Sequence, residues 1–233
     1  MEKINTYINI LDKKLNGGFL KGSSFLLYGE PGIGKTIFSI QLLLNQALNN
    51  DISILVSCDN STNSIKLMLN TYWKNIISEI NYNKFIIVDS YSWRLSRILN
   101  PNQISVQNLS DFFSNLIDTI EKINNTQNKM PTMIVVDSIT TIIEYNGINA
   151  TSKFLQTLSA INNEWEMVIF FIMEEGVHNV QEMKKIEYIL DGLIYLYKKK
   201  YQTRYLEIPH IRFSNPIGPI EYSIDNNGFH FIE

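Results

Sequence analysis

Cysteine and net charge are scarce in this chain. Its single cysteine, Cys58, has no partner for an internal disulfide, which fits a reducing compartment, so a cytoplasmic location is expected. The 23 acidic residues nearly balance the 20 basic ones, for a formal net charge of −3. Nothing in that balance advertises a protein of nucleic acid or membrane surfaces, although a local patch leaves DNA contact open. No run of about 18 apolar residues occurs, and the N-terminus MEKINTYINILDKK lacks the apolar core of a signal peptide, so no membrane insertion is expected. Linkers, low-complexity tracts and internal repeats are also missing. What remains is 233 residues, 45% of them hydrophobic. That is enough for one well-packed core, and the economical expectation is one domain spanning 1–233.

Short apolar runs alternate with longer segments of helical period. Strands are expected at Ser24–Gly29, Ile52–Ser57, Lys84–Ser90, Thr132–Ser138 and Met167–Met173. Helices are expected at Thr36–Asn50, at about Ser61–Ile80, at Leu109–Ile123 and at Thr151–Asn162. Continuously apolar strands separated by helices imply an α/β fold with a mostly parallel sheet covered on both faces. From Tyr188 onward the pattern changes to strands joined by a polar turn near Lys199–Gln202, then a final hairpin turning at Asn226-Asn227-Gly228. These strands are expected to extend one edge of the sheet in antiparallel fashion.

Between the first strand and first helix lies GEPGIGKT, Gly29 to Thr36, which fits G-x-x-x-x-G-K-[ST] in the strand–loop–helix context that gives the pattern its meaning. Glycines let successive backbone N–H groups converge on an anion, and the helix N-terminus adds partial positive charge. Glu30, Pro31, Gly32, Ile33, Gly34, Lys35, Thr36 and Ile37 are therefore the candidate nucleotide cradle. Lys35 would reach the β- and γ-phosphates, and the Thr36 hydroxyl would ligate Mg²⁺. Such a site also needs a carboxylate at the end of a neighbouring strand. Asp137, in MIVVDS, and Asp89, in FIIVDSYS, share nearly the same local pattern and compete for that role.

The order of motifs resembles the KaiC-like and RadA-like branch of the RecA ATPase superfamily, over nearly the whole chain. INILDKKLNGGFLKGSSFLLYGEPGIGKT is similar to the family's opening into Walker A. IVVDSIT is similar to its Walker B strand, which favours Asp137 as the metal-side carboxylate. ILDGLIYL, RYLEIPHIRFS and GPIEYSIDNNGFHFI resemble its closing strands. The resemblance implies a RecA-like P-loop core, ATP and Mg²⁺ as cofactors, and a homo-oligomeric ring such as a hexamer with nucleotide at subunit interfaces. It further implies a K-x-R strand that reaches the neighbour's γ-phosphate, here carried by Arg212, and a water-positioning glutamate at the end of the second strand. It also places a polar residue after the strand VIFFIM, where Glu174 and Glu175 stand.

Two departures bear on turnover. The second strand runs into SCDNS, where the family tends to have a Glu-Glu pair. Asp59 is a methylene shorter, and a water misplaced by about 1 Å can cost roughly 100-fold in rate. His210 stands where the family pattern has lysine, so one of two charges acting in trans would be weakened or pH-dependent near neutrality. Lys35, Asp59, Asp137 and Arg212 are thus the candidate catalytic residues, with Thr36 and Asp137 the metal ligands. The expected function is a slow, oligomeric nucleotide switch for a protein partner. Alternatives are a non-hydrolysing ATP-bound scaffold like the FlaH-type archaeal motility ATPases, or a RadA paralogue acting on single-stranded DNA, for which Gly176–Lys185 could serve as a facing loop. A P-loop kinase, with Arg94 and Arg97 as lid cations, ranks last. Tyr28, Trp93 and Trp165 read as packing or interface aromatics.

Overall fold

The computed structural model describes residues 1–95, 104–199 and 202–232. The apolar runs become strands β3 (Ser24–Gly29), β4 (Ser53–Ser57), β5 (Phe85–Asp89), β6 (Met133–Asp137), β7 (Val168–Glu174) and β8 (Gly192–Lys198). A short ribbon, β1 (Lys3–Ile4) with β2 (Phe19–Leu20), precedes them, around helix α1 (Asn9–Lys14). The chain closes with β9 (Arg204–Ile211), β10 (Ile217–Asp225) and β11 (Gly228–Phe231). Among the described residues the main sheet has nine strands in the order β11-β10-β9-β8-β3-β7-β6-β4-β5. Strands β8, β3, β7, β6, β4 and β5 run parallel, and β9, β10 and β11 extend the edge in antiparallel pairs.

Alternation along the buried strands divides the core in two, as the period-two geometry of a strand requires. Phe25 and Leu27 face helices α2 (Lys35–Leu48) and α3 (Thr62–Tyr72), joining Phe38, Leu43 and Leu69. Leu26, Val136 and Phe171 face the other way, toward α4 (Leu109–Gln127), α5 (Ile139–Trp165) and α6 (Val180–Ile189). The sheet is therefore covered on both faces, which is why its strands lack the polar alternation of a half-exposed sheet. No helix among the described residues is long and apolar enough to cross a membrane.

The final hairpin, whose strands pair Asp225 with Gly228, closes over the cradle from the antiparallel edge. Its fit against α2 depends on Gly228, where φ is +99° and a Cβ would stand 2.3 Å from Gln41 Oε1. Only glycine tolerates both conditions. Phe229 then packs on Phe38, with ring centroids 4.9 Å apart, and the Tyr222 hydroxyl donates to Ile33 O at 2.8 Å.

Two helices differ markedly from their expected spans, and a third forms within a segment expected as a loop. The helix over 61–80 stops at Tyr72, because Trp73 turns inward, 2% exposed, and donates its indole N–H to Gln41 Oε1 at 2.7 Å. The helix over 151–162 is the second half of α5, which begins at Ile139 and is interrupted at Gly147, with φ +77° and ψ 159°. Burial of Ile139, Ile142 and Ile143 supports the first half, despite β-branched residues that favour strands in isolation. Within Gly176–Lys185, residues from Val180 on are helical, held by an Asn179–Glu182 capping box.

Candidate functional site

Strand register brings the site together. Gly29 at the end of β3 pairs with Glu174 at the end of β7, and Ser57 at the end of β4 pairs with Asp137 at the end of β6. The chain leaves β3 through Gly29 and re-enters a helix at Lys35, with Gly32 at φ +72° and Gly34 at φ +114°. At Gly34 a Cβ would also lie 2.3 Å from Ile224 Cδ1, so the loop and the hairpin approach closely at that point.

Lys35 is 3% exposed and its ammonium donates to Gly29 O at 2.8 Å, Glu30 O at 2.9 Å and Glu174 Oε2 at 2.7 Å. The Thr36 hydroxyl donates to Asp137 Oδ2 at 2.8 Å. Asp59 is exposed, yet both its oxygens are engaged: Ser138 donates to Oδ2 at 2.6 Å and the Thr141 hydroxyl donates to Oδ1. Burial, with the Asp59 charge next in weight, pushes the Asp137 carboxyl up to about 7, against the opposing hydrogen bond from Thr36. Glu174 adds to this negative field and Lys35 offsets it.

Asp89, the competing carboxylate, serves its own turn. It accepts from the amides of Thr62, Tyr91 and Ser92 and from the hydroxyls of Thr62 and Ser92. Burial would raise its carboxyl, but these hydrogen bonds hold it below the usual value.

A hydroxyl and a buried carboxylate at hydrogen-bond distance, in a negative field, form the hard oxygen donor set that suits Mg²⁺. The residues present fit that ion, with Thr36 and Asp137 the groups that would hold it. Beside them opens a cleft of about 390 Å³, lined by Lys35 and Thr36 on one side and by Met68, Tyr72, Arg204 and Asp225 on the other. Arg204 Nε is buried with no hydrogen-bond partner among the described residues. Sequence reasoning missed Arg204 and Asp225, because long-range pairing, not a local motif, carries them to the loop.

Arg212 and His210 are not brought to this site. β9 runs antiparallel to β8, pairing Arg204 with Lys198 and Ile211 with Gly192, so the two residues lie at the opposite end of the sheet. Arg212 is 55% exposed and bridges Asp191 Oδ1 at 2.8 Å, while His210 Nδ1 lies 3.2 Å from Glu187 Oε1.

Arg94 donates to Cys58 O at 2.8 Å among the rings of Tyr91, Trp93 and Tyr145, and Arg97 lies outside the described residues. Tyr28 stacks on Tyr195, Trp93 meets Tyr145 edge-on, and Trp165 packs at the rim of the second core. Glu175 accepts from the Tyr195 hydroxyl at 3.1 Å.

Comparison with known proteins bears on the family and the fold. The chain is 24% identical over 199 residues to a UPF0273 protein of Saccharolobus solfataricus, covering 84% of this chain and 69% of that one. It is 27% identical over 143 residues to a UPF0273 protein of Thermotoga maritima, covering 61% and 57% respectively. It is 24% identical over 223 residues to the DNA repair protein RadA of Treponema pallidum, covering 92% of this chain and 41% of RadA. The fold is similar to the crystal structure of a KaiC-like protein from Pyrococcus horikoshii OT3, with a TM-score of 0.74, 19% identity, and coverage of 100% of this chain and 99% of that one. The family model described as "ATPase: KaiC" matches residues 4–233, and the chain belongs to that family, within the RecA superfamily.

Proposed function

We propose that residues 1–233 form one cytoplasmic KaiC-like ATPase domain that binds ATP with Mg²⁺, assembles into a homo-oligomer and turns nucleotide over slowly. Its nucleotide state then acts as a switch for a protein partner. The observation that carries this reading is the Thr36–Asp137 hydrogen bond at 2.8 Å, beside a loop whose Lys35 is held at its centre. In this reading the backbone amides of Glu30–Ile37 bind the phosphates, and Lys35 compensates their charge. Mg²⁺, held by Thr36 and Asp137, would neutralise phosphate charge when bound. Asp59 is the carboxylate available to orient water, and the Ser138 and Thr141 hydroxyls that engage both its oxygens support slow turnover. Arg212, on the opposite and exposed end of the sheet, would act on a neighbouring subunit's nucleotide.

The same engagement of Asp59 favours a second reading, a scaffold in which bound ATP stays uncleaved until a partner docks. Steady-state turnover measured beside nucleotide binding, with Lys35→Ala as the blank, separates the two. Turnover above the blank that rises with protein concentration supports the switch. Tight binding without turnover supports the scaffold. Absence of binding ends both.

A further inference from the structure

The Lys35–Glu174 ion pair plays no part in that scheme. Glu174 ends β7, the strand between β3 and β6, so its carboxylate stands between the cradle and the Asp137 side of the site. An ammonium has three N–H donors, and those of Lys35 go to Gly29 O, Glu30 O and Glu174 Oε2. A phosphate oxygen reaches Lys35 only by replacing one of these acceptors. The two carbonyls are fixed in the turn of the loop. The carboxylate sits on a rotatable side chain, 28% exposed on the rim of the cleft, and is the acceptor able to leave. It also carries the charge that opposes an incoming anion, and this repulsion grows with each phosphate added to the ligand. The family resemblance places a polar residue here, and in this chain that residue is a glutamate whose carboxylate meets the lysine at 2.7 Å.

We propose that Glu174 is a specificity-determining residue: a built-in anion that holds Lys35 and selects against the terminal phosphate, so that the site binds ADP at least as tightly as ATP. The proposal rests on the cradle being a nucleotide site. It makes the pair a threshold that a triphosphate must overcome, and it assigns the bias to one removable charge.

Isothermal titration with ADP and with ATP, both in excess Mg²⁺, tests it on the wild type, Glu174→Gln and Glu174→Asp. In the wild type, ADP binds as tightly as ATP or more tightly. Glu174→Gln tightens ATP by about tenfold and ADP by less than about threefold, as expected when a like charge is removed beside the terminal phosphate. Glu174→Asp, which keeps the charge, keeps the wild-type ratio. An unchanged ADP/ATP ratio in Glu174→Gln overturns the proposal while leaving the nucleotide site intact. Weaker ATP binding in that variant overturns it in favour of Glu174 as a metal-side carboxylate. Wild-type protein that binds ATP more tightly than ADP overturns it without any variant. Failure of both the wild type and Glu174→Gln to bind either nucleotide removes the site itself, and the proposal with it.

Discussion

The two ends of the β8–β9 pair behave differently. At the cradle end, charges are sequestered: Lys35 is enclosed, Asp137 is buried, and Asp59, Glu174 and Thr36 are all engaged within the subunit. At the other end, Arg212 is more than half exposed, held by a single carboxylate, and His210 lies beside it. Exposed ion pairs contribute little stability, so the Arg212–Asp191 bridge is cheap to exchange. Under the proposed function, the enclosed cation of the cradle and the outlying arginine would be two parts of one phosphate-handling apparatus, at opposite ends of the subunit. In the proposed assembly the difference makes these ends two half-sites, which would join only when copies meet head to tail.

The largest test of that contrast is Arg212→Ala. Turnover is expected to fall by about a hundredfold or more, to the level of the Lys35→Ala blank, while binding changes by less than about threefold. Mixing the two inactive variants should restore part of the activity, since a mixed assembly contains interfaces with an intact cradle and an intact arginine. No recovery on mixing, measured by phosphate release, would place Arg212 outside the shared site.

Next in size is Asp59→Glu. Lengthening this side chain by one methylene restores the residue type that the family resemblance implies at the end of the second strand. Turnover should rise by about tenfold, with unchanged ATP affinity. A flat response in single-turnover kinetics would mean that the Ser138 and Thr141 hydroxyls, not side-chain length, limit the water. A smaller change is expected from Arg204→Ala. Its Nε is buried beside the cleft without a partner among the described residues, and its loss should weaken nucleotide binding by about threefold through a missing charge-assisted contact. Equal affinity by titration would make Arg204 a packing residue.

The same contrast explains what was legible in the sequence. The cradle is written locally: β3 was expected at Ser24–Gly29 and forms there, because a buried parallel strand needs an unbroken apolar run and the loop needs its glycines in fixed order. The hairpin turn after Asp225 was legible for the same reason. Asp137 and Asp89 were not separable locally, since each follows an apolar strand. Only the sheet order, which puts β6 nearer β3 than β5 is, gives Thr36 to one and the Ser92 turn to the other. Glu174 showed up as a polar residue after a strand. Its partner became visible only when β7 was placed beside β3, because the pair spans 139 positions of sequence. Arg204 lay hidden for a related reason: antiparallel return of β9 brings it to the cradle end, while the same strand carries Arg212 away.

The smallest effect, and the one that isolates the cradle from the assembly, concerns Asp137 in metal-free protein. Its carboxyl ordinarily titrates at 3.8 and is pushed up to about 7 by burial and then by Asp59. The folded state therefore holds this proton more tightly than the unfolded chain does. Stability from the protonated form is fully present below 3.8, is lost as pH rises toward about 7, and above that a buried carboxylate faces Asp59 and Glu174. Asp137→Asn removes this penalty while keeping a side-chain oxygen to accept from Thr36. Without Mg²⁺ at pH 8, Tm should rise by about 3–8 °C, and the gain should shrink toward zero as pH approaches 4. Calorimetry across that range checks the sign: a gain that is constant with pH would mean that packing, not charge, separates the two proteins. The added Mg²⁺ should then stabilise the wild type with ATP present and leave Asp137→Asn nearly unmoved, since the carboxylate that burdens the empty fold is the one proposed to hold the ion.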